Sequence, residues 1–239
     1  MLLRLLPLLL SFSLALPVVA EQAAAPPVTF ATSGTVAPPV TRPRARTEAL
    51  PRMAWGRKAG TALWTRAALS ALQGHASALA NTVPRDIADW CPAYPQADAA
   101  QRRAFWAGFA SALARYESGH RANAVGGGGL YHGLLQILPA TAQGYGCTAQ
   151  SGPDLQDGSA NLSCGLRIMA RTVARDGVIA QQSDRWRGVA ADWGPMRDAA
   201  KRDQMQGWLS QQSYCRPLST VRPQARPAGL RIAQSSEKG

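Results

Sequence analysis

The sequence predicts a mainly α-helical domain, and three observations carry that expectation. Apolar residues recur at spacings of three and four through the middle of the chain. No convincing period-two run appears, and the periodic stretches are separated by Asp, Asn, Gly and Pro, the residues that cap and break helices.

The ends read differently from the middle. Residues 1–20 carry Arg4, a leucine-rich run over residues 5–16 and Val18-Val19-Ala20 before Glu21, the pattern of a cleaved signal peptide. That run is short for a membrane span and is interrupted by Pro7, with Pro17 just beyond it, so no integral span is expected after cleavage. Residues 21–60 form a linker rich in Pro, Ala and Arg, with Pro26-Pro27, Pro38-Pro39, Pro43 and Pro51 among Arg42, Arg44, Arg46, Arg52, Arg57 and Lys58. Residues 216–239 repeat that character as a basic tail. Between them residues 61–215 suffice for one well-buried domain.

Leu63, Ala67, Leu72, Ala76 and Leu79 predict one helix that stops before Pro84, with Asn81 near its end. Asp98 can cap a second helix whose stripe is Phe105, Phe109, Ala112 and Tyr116 and whose last turn Gly119 closes. Glu117 sits in that last turn. Both the helix dipole and the apolar neighbours favour its protonated form, as in a glycosidase acid with a pKa of roughly 6.

Val125 to Leu130 contains four consecutive glycines, each costing up to about 1 kcal/mol in a helix, so a turn or loop is expected. It lacks the Lys-Ser or Lys-Thr and the preceding strand of a phosphate cradle. In Leu134-Leu135-Gln136-Ile137-Leu138 the one polar side chain is Gln136, which is either held by backbone partners or reaches a ligand beside Glu117. Residues 159–175 form the next helix, with Leu162, Leu166, Met169 and Val173 on one face and Asp157 or Ser159 as cap. Residues 185–195 read as a short helix halted by Gly194-Pro195, and residues 204–212, with Met205, Trp208 and Leu209, complete the set.

Cys91, Cys147, Cys164 and Cys215 are an even number in a chain expected to be exported, so disulfides are the default. Four cysteines allow three pairings; one clips Cys147 to Cys164 and joins Cys91 to Cys215. There is no Cys-x-x-Cys, and His75, His120 and His132 lack ligand spacing, so neither zinc nor another cofactor is expected. The formal charge of +12 suits an anionic partner. Export argues against nucleic acid and for the carboxylate-bearing cell wall.

Taken together and in order, Glu117-Ser118 at a helix end, Gly133-Leu134-Leu135-Gln136-Ile137 followed by Pro139-Ala140-Thr141-Ala142, and then Asp157, Asn161 and Gly165 resemble the soluble lytic transglycosylase family. These are lysozyme-like enzymes that cut bacterial peptidoglycan. The resemblance spans about residues 105–195. It implies a lysozyme-like fold and Glu117 as the single acid and base cleaving the MurNAc-GlcNAc bond with formation of 1,6-anhydroMurNAc ends. It also implies Ser118, Tyr131, Leu134, Gln136 and Asp192 along the substrate, a periplasmic monomer, peptidoglycan strands as partner and a possible attachment to envelope machinery. The alternatives are a goose-type lysozyme-like hydrolase and a weakly catalytic wall-binding scaffold. The family's Ala-Tyr-Asn stretch, whose tyrosine bonds the acid, reads Ala190-Ala191-Asp192-Trp193-Gly194-Pro195 here. Ala191 in the tyrosine's place removes a hydrogen bond, whereas Asp192 there adds a like charge beside Glu117.

Overall fold

The computed structural model describes residues 49–216, so the expected signal peptide, most of the linker and the tail beyond Arg216 lie outside the described residues. Eight α-helices are described: α1 (Thr61–Gln73), α2 (Ser77–Asn81), α3 (Ile87–Trp90), α4 (Ala99–Ser118), α5 (Pro139–Gly144), α6 (Gly152–Leu155), α7 (Gly158–Asp176) and α8 (Ala199–Ser210). Two small antiparallel hairpins join them: β1 (Val125–Gly126) with β2 (Tyr131–His132), and β3 (Ala180–Gln182) with β4 (Trp186–Gly188). The mainly α expectation holds.

Helix α4 is the central element. Its start is a reciprocal cap, with Gln101 N–H donating to Asp98 Oδ1 at 2.8 Å and Asp98 N–H donating to Gln101 Oε1 at 3.0 Å. Its end is closed by left-handed Gly119. The expected stripe understates its burial, because every residue from Ala104 to Ala114 is buried. One side carries Phe105, Trp106 and Phe109, which pack edge to face with one another and with Trp90 and Tyr94. The rest is Ala, Gly and Ser, which let neighbours approach closely; a Cβ on Gly108 would overlap the Tyr214 hydroxyl.

The single helix expected up to Pro84 is instead two. Gly74 leaves helical geometry while its N–H bonds the Ser70 and Ala71 carbonyls, and the chain restarts as α2. The buried face of α1 is Thr61, Thr65, Ala68, Ala71 and Leu72, and Leu63 is 65 % exposed. Thr65 enters the core because its hydroxyl donates to the Thr61 carbonyl and accepts from Trp55 Nε1. Met53 and Trp55 are buried too, so packing begins before Thr61.

Helix α7 matches expectation, with Asp157 Oδ1 accepting from Ala160 N–H at 2.8 Å and Leu162, Leu166, Met169 and Val173 buried. The short helix expected over residues 185–195 is not one. Residues 180–188 form the β3–β4 hairpin, followed by two 3-10 turns. Gly188 has φ 66°, and a Cβ there would strike the Val178 and Ile179 carbonyls, so only glycine fits. Asp86 takes the Ile179 and Ala180 N–H groups, both at 2.8 Å, and Asp176 takes that of Gly188 at 2.7 Å. The last helix starts five residues earlier than expected because Asp198 caps it.

The cysteines pair as Cys91–Cys215 and Cys147–Cys164, with sequence separations of 124 and 17. Loop-closure entropy gives about 3 kcal/mol for the short loop and about 5 kcal/mol for the long one. Among the described residues no helix is long and apolar enough to cross a membrane.

Candidate active site

The polypeptide leaves α4 through a heavily bonded corner. Ser118 is buried, and its hydroxyl donates to the Ala114 carbonyl at 3.2 Å and accepts from Arg121 N–H at 3.3 Å. The Arg121 guanidinium returns to the Ser118 carbonyl, and His120, itself at positive φ, bonds the Ser111 carbonyl through Nε2 at 2.9 Å. Burial lowers the His120 pKa, and the bond to the Ser111 carbonyl opposes that shift. The Ser118 hydroxyl thus organises the helix end that presents Glu117.

Glu117 is partly buried, and its Oε1 is buried without a hydrogen-bond partner. Burial pushes its pKa up to about 7, with Lys201 pulling the other way. A group poised there holds a proton near neutrality and releases it readily. Glu117 is also the one glutamate among the described residues.

The next element is the β1–β2 hairpin, with Val125 opposite His132 and Gly126 opposite Tyr131. The glycine run forms its tip, so the expected loop is a tight hairpin with Gly127, Gly128 and Gly129 all at positive φ. Gln136 closes its base. The Nε2 of Gln136 donates to the Gly133 carbonyl at 2.9 Å and to the Ala124 carbonyl at 3.3 Å, while a Cβ on Gly126 would overlap its Oε1. Both amide donors are therefore taken by backbone, and the oxygen faces the strand. Gln136 adopts φ 47°, an uncommon conformation maintained by these bonds.

Leu134 is fully buried in the core. Tyr131 is exposed, with its ring folded over Gly127, and it forms an apolar rim with exposed Val125 and Leu130. Asp192 is exposed as a residue, yet desolvation by nearby atoms raises its pKa while Arg175 and Arg197 lower it. Lys201 lowers the Glu117 pKa, and Asp192 is not among the groups that shift it. Nor does a described tyrosine hydroxyl hydrogen-bond Glu117. Tyr116 donates to Gln204 at 2.8 Å and Tyr214 to the Arg52 carbonyl at 3.2 Å.

Three residues matter more than the sequence suggested. Asn161 is fully buried and makes three bonds, accepting Leu135 N–H at 2.8 Å and donating to the His132 and Leu155 carbonyls, both at 2.9 Å. It bolts the hairpin to α7. Trp193 Nε1 donates to the Leu135 carbonyl, and Arg197 holds the Ala190 and Ala191 carbonyls. Asn161 belonged to the ordered motif but gave no hint of its partners; Trp193 and Arg197 left no periodic signal.

Two hollows, of about 740 and 940 Å³, are lined by residues of the 49–73 segment together with the start of α4 and Tyr214, or with Trp208. Neither includes Glu117, and Ala104, the last α4 residue lining them, is roughly 20 Å from it at 1.5 Å per residue. The Glu117 carboxyl is therefore apart from both. Among the described residues no three His, Cys, Asp or Glu side chains gather as a metal site.

The family model "Transglycosylase SLT domain" matches residues 95–191, the stretch that holds Glu117, Gln136 and Asn161. A solved structure of Bd0314 DslA, wild-type form 2, is 32 % identical with a TM-score of 0.60, covering 67 % of this chain and 94 % of that one. Two Glu-to-Gln mutants of the same protein give TM-scores of 0.61 at 32 % identity, with the same coverage, and 0.63 at 31 %, covering 70 % of this chain and 100 % of that one. No curated protein matches significantly. With that identity over nearly the whole of a solved relative, and the family model lying across the acid-bearing helix end and the hairpin, the chain belongs to the transglycosylase SLT, lysozyme-like family.

Proposed function

We propose that the protein is an exported peptidoglycan lytic transglycosylase that acts in the periplasm, with residues 61–215 as its catalytic domain and Glu117 as its single acid and base. One observation carries the reading. The only glutamate of the described domain has a buried, unpartnered carboxyl oxygen and a pKa near 7.

The chemistry needs one proton moved twice. Glu117 gives its proton to the glycosidic oxygen between MurNAc and GlcNAc as that bond breaks. The substrate's N-acetyl oxygen stabilises the positive sugar carbon. The Glu117 carboxylate then takes the proton of the muramyl 6-hydroxyl, whose oxygen closes the 1,6-anhydro ring. No water is consumed, and Glu117 ends protonated as it began. The exposed Tyr131 rim of the β1–β2 hairpin offers a ring face to a sugar. The basic charge suits the carboxylates of the stem peptides.

Mass spectrometry of purified murein digested by the wild type and by Glu117→Gln tests this. Anhydro-muramyl ends from the wild type and none from the variant are expected. Reducing ends instead identify a hydrolase, and no release by a folded wild type leaves a wall-binding scaffold.

A further inference from the structure

The region where α8 meets the end of α4 contains a cation that the proposed chemistry has not used. Tyr116, which precedes Glu117, donates its hydroxyl to Gln204 Oε1 at 2.8 Å. Gln204 lies one turn after Lys201, so that bond fixes the Lys201 end of α8 beside the acid. Lys201 is held at both ends by Asp198. Its N–H donates to Asp198 Oδ1 at 3.1 Å, and its Nζ stands 3.6 Å from Oδ2. Those two side chains are 41 % and 46 % exposed, which makes their ion pair weak and easily exchanged.

The other cations around this corner are committed elsewhere. Arg121 bonds the Ser118 carbonyl, Arg197 bonds the Ala190 and Ala191 carbonyls, and Arg202 bonds the Met196 carbonyl while lying over the Trp186 ring. Arg115 is exposed and lies 6.0 Å from the Tyr116 ring centre. Of the acids, Asp203 is exposed on α8, and Asp192 is coupled to Arg175 and Arg197. Lys201 is the cation whose charge reaches Glu117. A buried carboxylate oxygen without a partner is costly once ionised, and a flexible ammonium nearby is the available compensation.

We propose that Lys201 is a positioning residue that swings from Asp198 toward Glu117 when the acid has given up its proton, and that Asp198 sets how much of its charge Glu117 receives. This rests on Glu117 being the acid of the proposed reaction. Lys201 then sustains the carboxylate between the two proton transfers and returns to Asp198 when Glu117 is protonated again.

Glutamate-selective ¹³C labelling of the full chain reads this directly, because one glutamate lies in the described domain and Glu117→Gln assigns its signal. The wild-type carboxyl is expected to titrate near 7. Lys201→Met raises that midpoint by about 0.5–1 unit, and Lys201→Arg leaves it near the wild type. Asp198→Asn, which still caps α8, lowers it by a similar amount. Salt at about 1 M moves the wild type toward Lys201→Met, since the exposed ammonium is screened. The pH profile of murein cleavage shifts in the same direction in each variant. Midpoints that stay within about 0.2 unit in both Lys201→Met and Asp198→Asn overturn the proposal. The titration needs no turnover. If Glu117→Gln still makes anhydro ends while the midpoints shift, the proposed reaction falls and the coupling stands; unmoved midpoints with an inert Glu117→Gln give the converse.

Discussion

The indole N–H of Trp193 donates to the carbonyl of Leu135 at 3.0 Å, across 58 residues of chain. This bond fixes the segment after β4 against the run that ends in Gln136, while Asn161 holds the N–H of the same leucine. Trp193→Phe leaves the Leu135 carbonyl buried and unpaired on that side. The expected loss is about 1–3 kcal/mol in urea denaturation, with a fall in murein cleavage at full folding.

Asn161→Ala is the more severe change. It strips partners from the Leu135 N–H and from the His132 and Leu155 carbonyls at once. Destabilisation of roughly 3 kcal/mol or more is expected by denaturant titration, and a loss within about 0.5 kcal/mol of zero counts against this bolt.

Gly126→Ala and Gly128→Ala separate hairpin geometry from backbone strain. A Cβ on Gly126 displaces the Gln136 amide, whereas one on Gly128 meets open space but must adopt φ 67°. Gly128→Ala therefore costs about 1 kcal/mol of stability with cleavage retained. Gly126→Ala is expected to lower cleavage by about tenfold or more by shifting Gln136.

Glu117 also makes stability depend on pH. Its folded pKa, about 7, lies above the ordinary carboxylate value of 4.5, so the native state binds its proton more tightly than the unfolded chain. Stability from this group is complete below about 4.5 and is lost as pH rises through about 7. Allowing for partial exposure, the loss is on the order of 2 kcal/mol. Glu117→Gln should flatten that decline in melting temperature between pH 4.5 and 7 and abolish cleavage throughout.

Helices α4 and α7 were legible because their signals are local: Asp98 and Gly119 bracket one, and Asp157 with four periodic apolar residues defines the other. The raised pKa of Glu117 is legible for the same reason, since its place in the last turn of an apolar helix is local information. The break between α1 and α2 has no apolar signature, because the stripe continues across Gly74 and the buried face contains Thr61 and Thr65, which hydropathy places outside. Residues 185–195 read as a short helix because β4 is only three residues long and the start of its partner strand is fixed by Asp86, more than ninety positions away, through the Ile179 and Ala180 N–H groups. Lys201 was invisible beside Glu117, for no spacing rule connects α8 to the end of α4.

The Cys91–Cys215 bond joins two points that bracket α4, both hairpins and α8. This clasp closes only after the last helix has been synthesised and an oxidant is met. In a thiol-rich compartment it stays open, so a domain of this design reaches its final strength only where the chain meets oxidising surroundings.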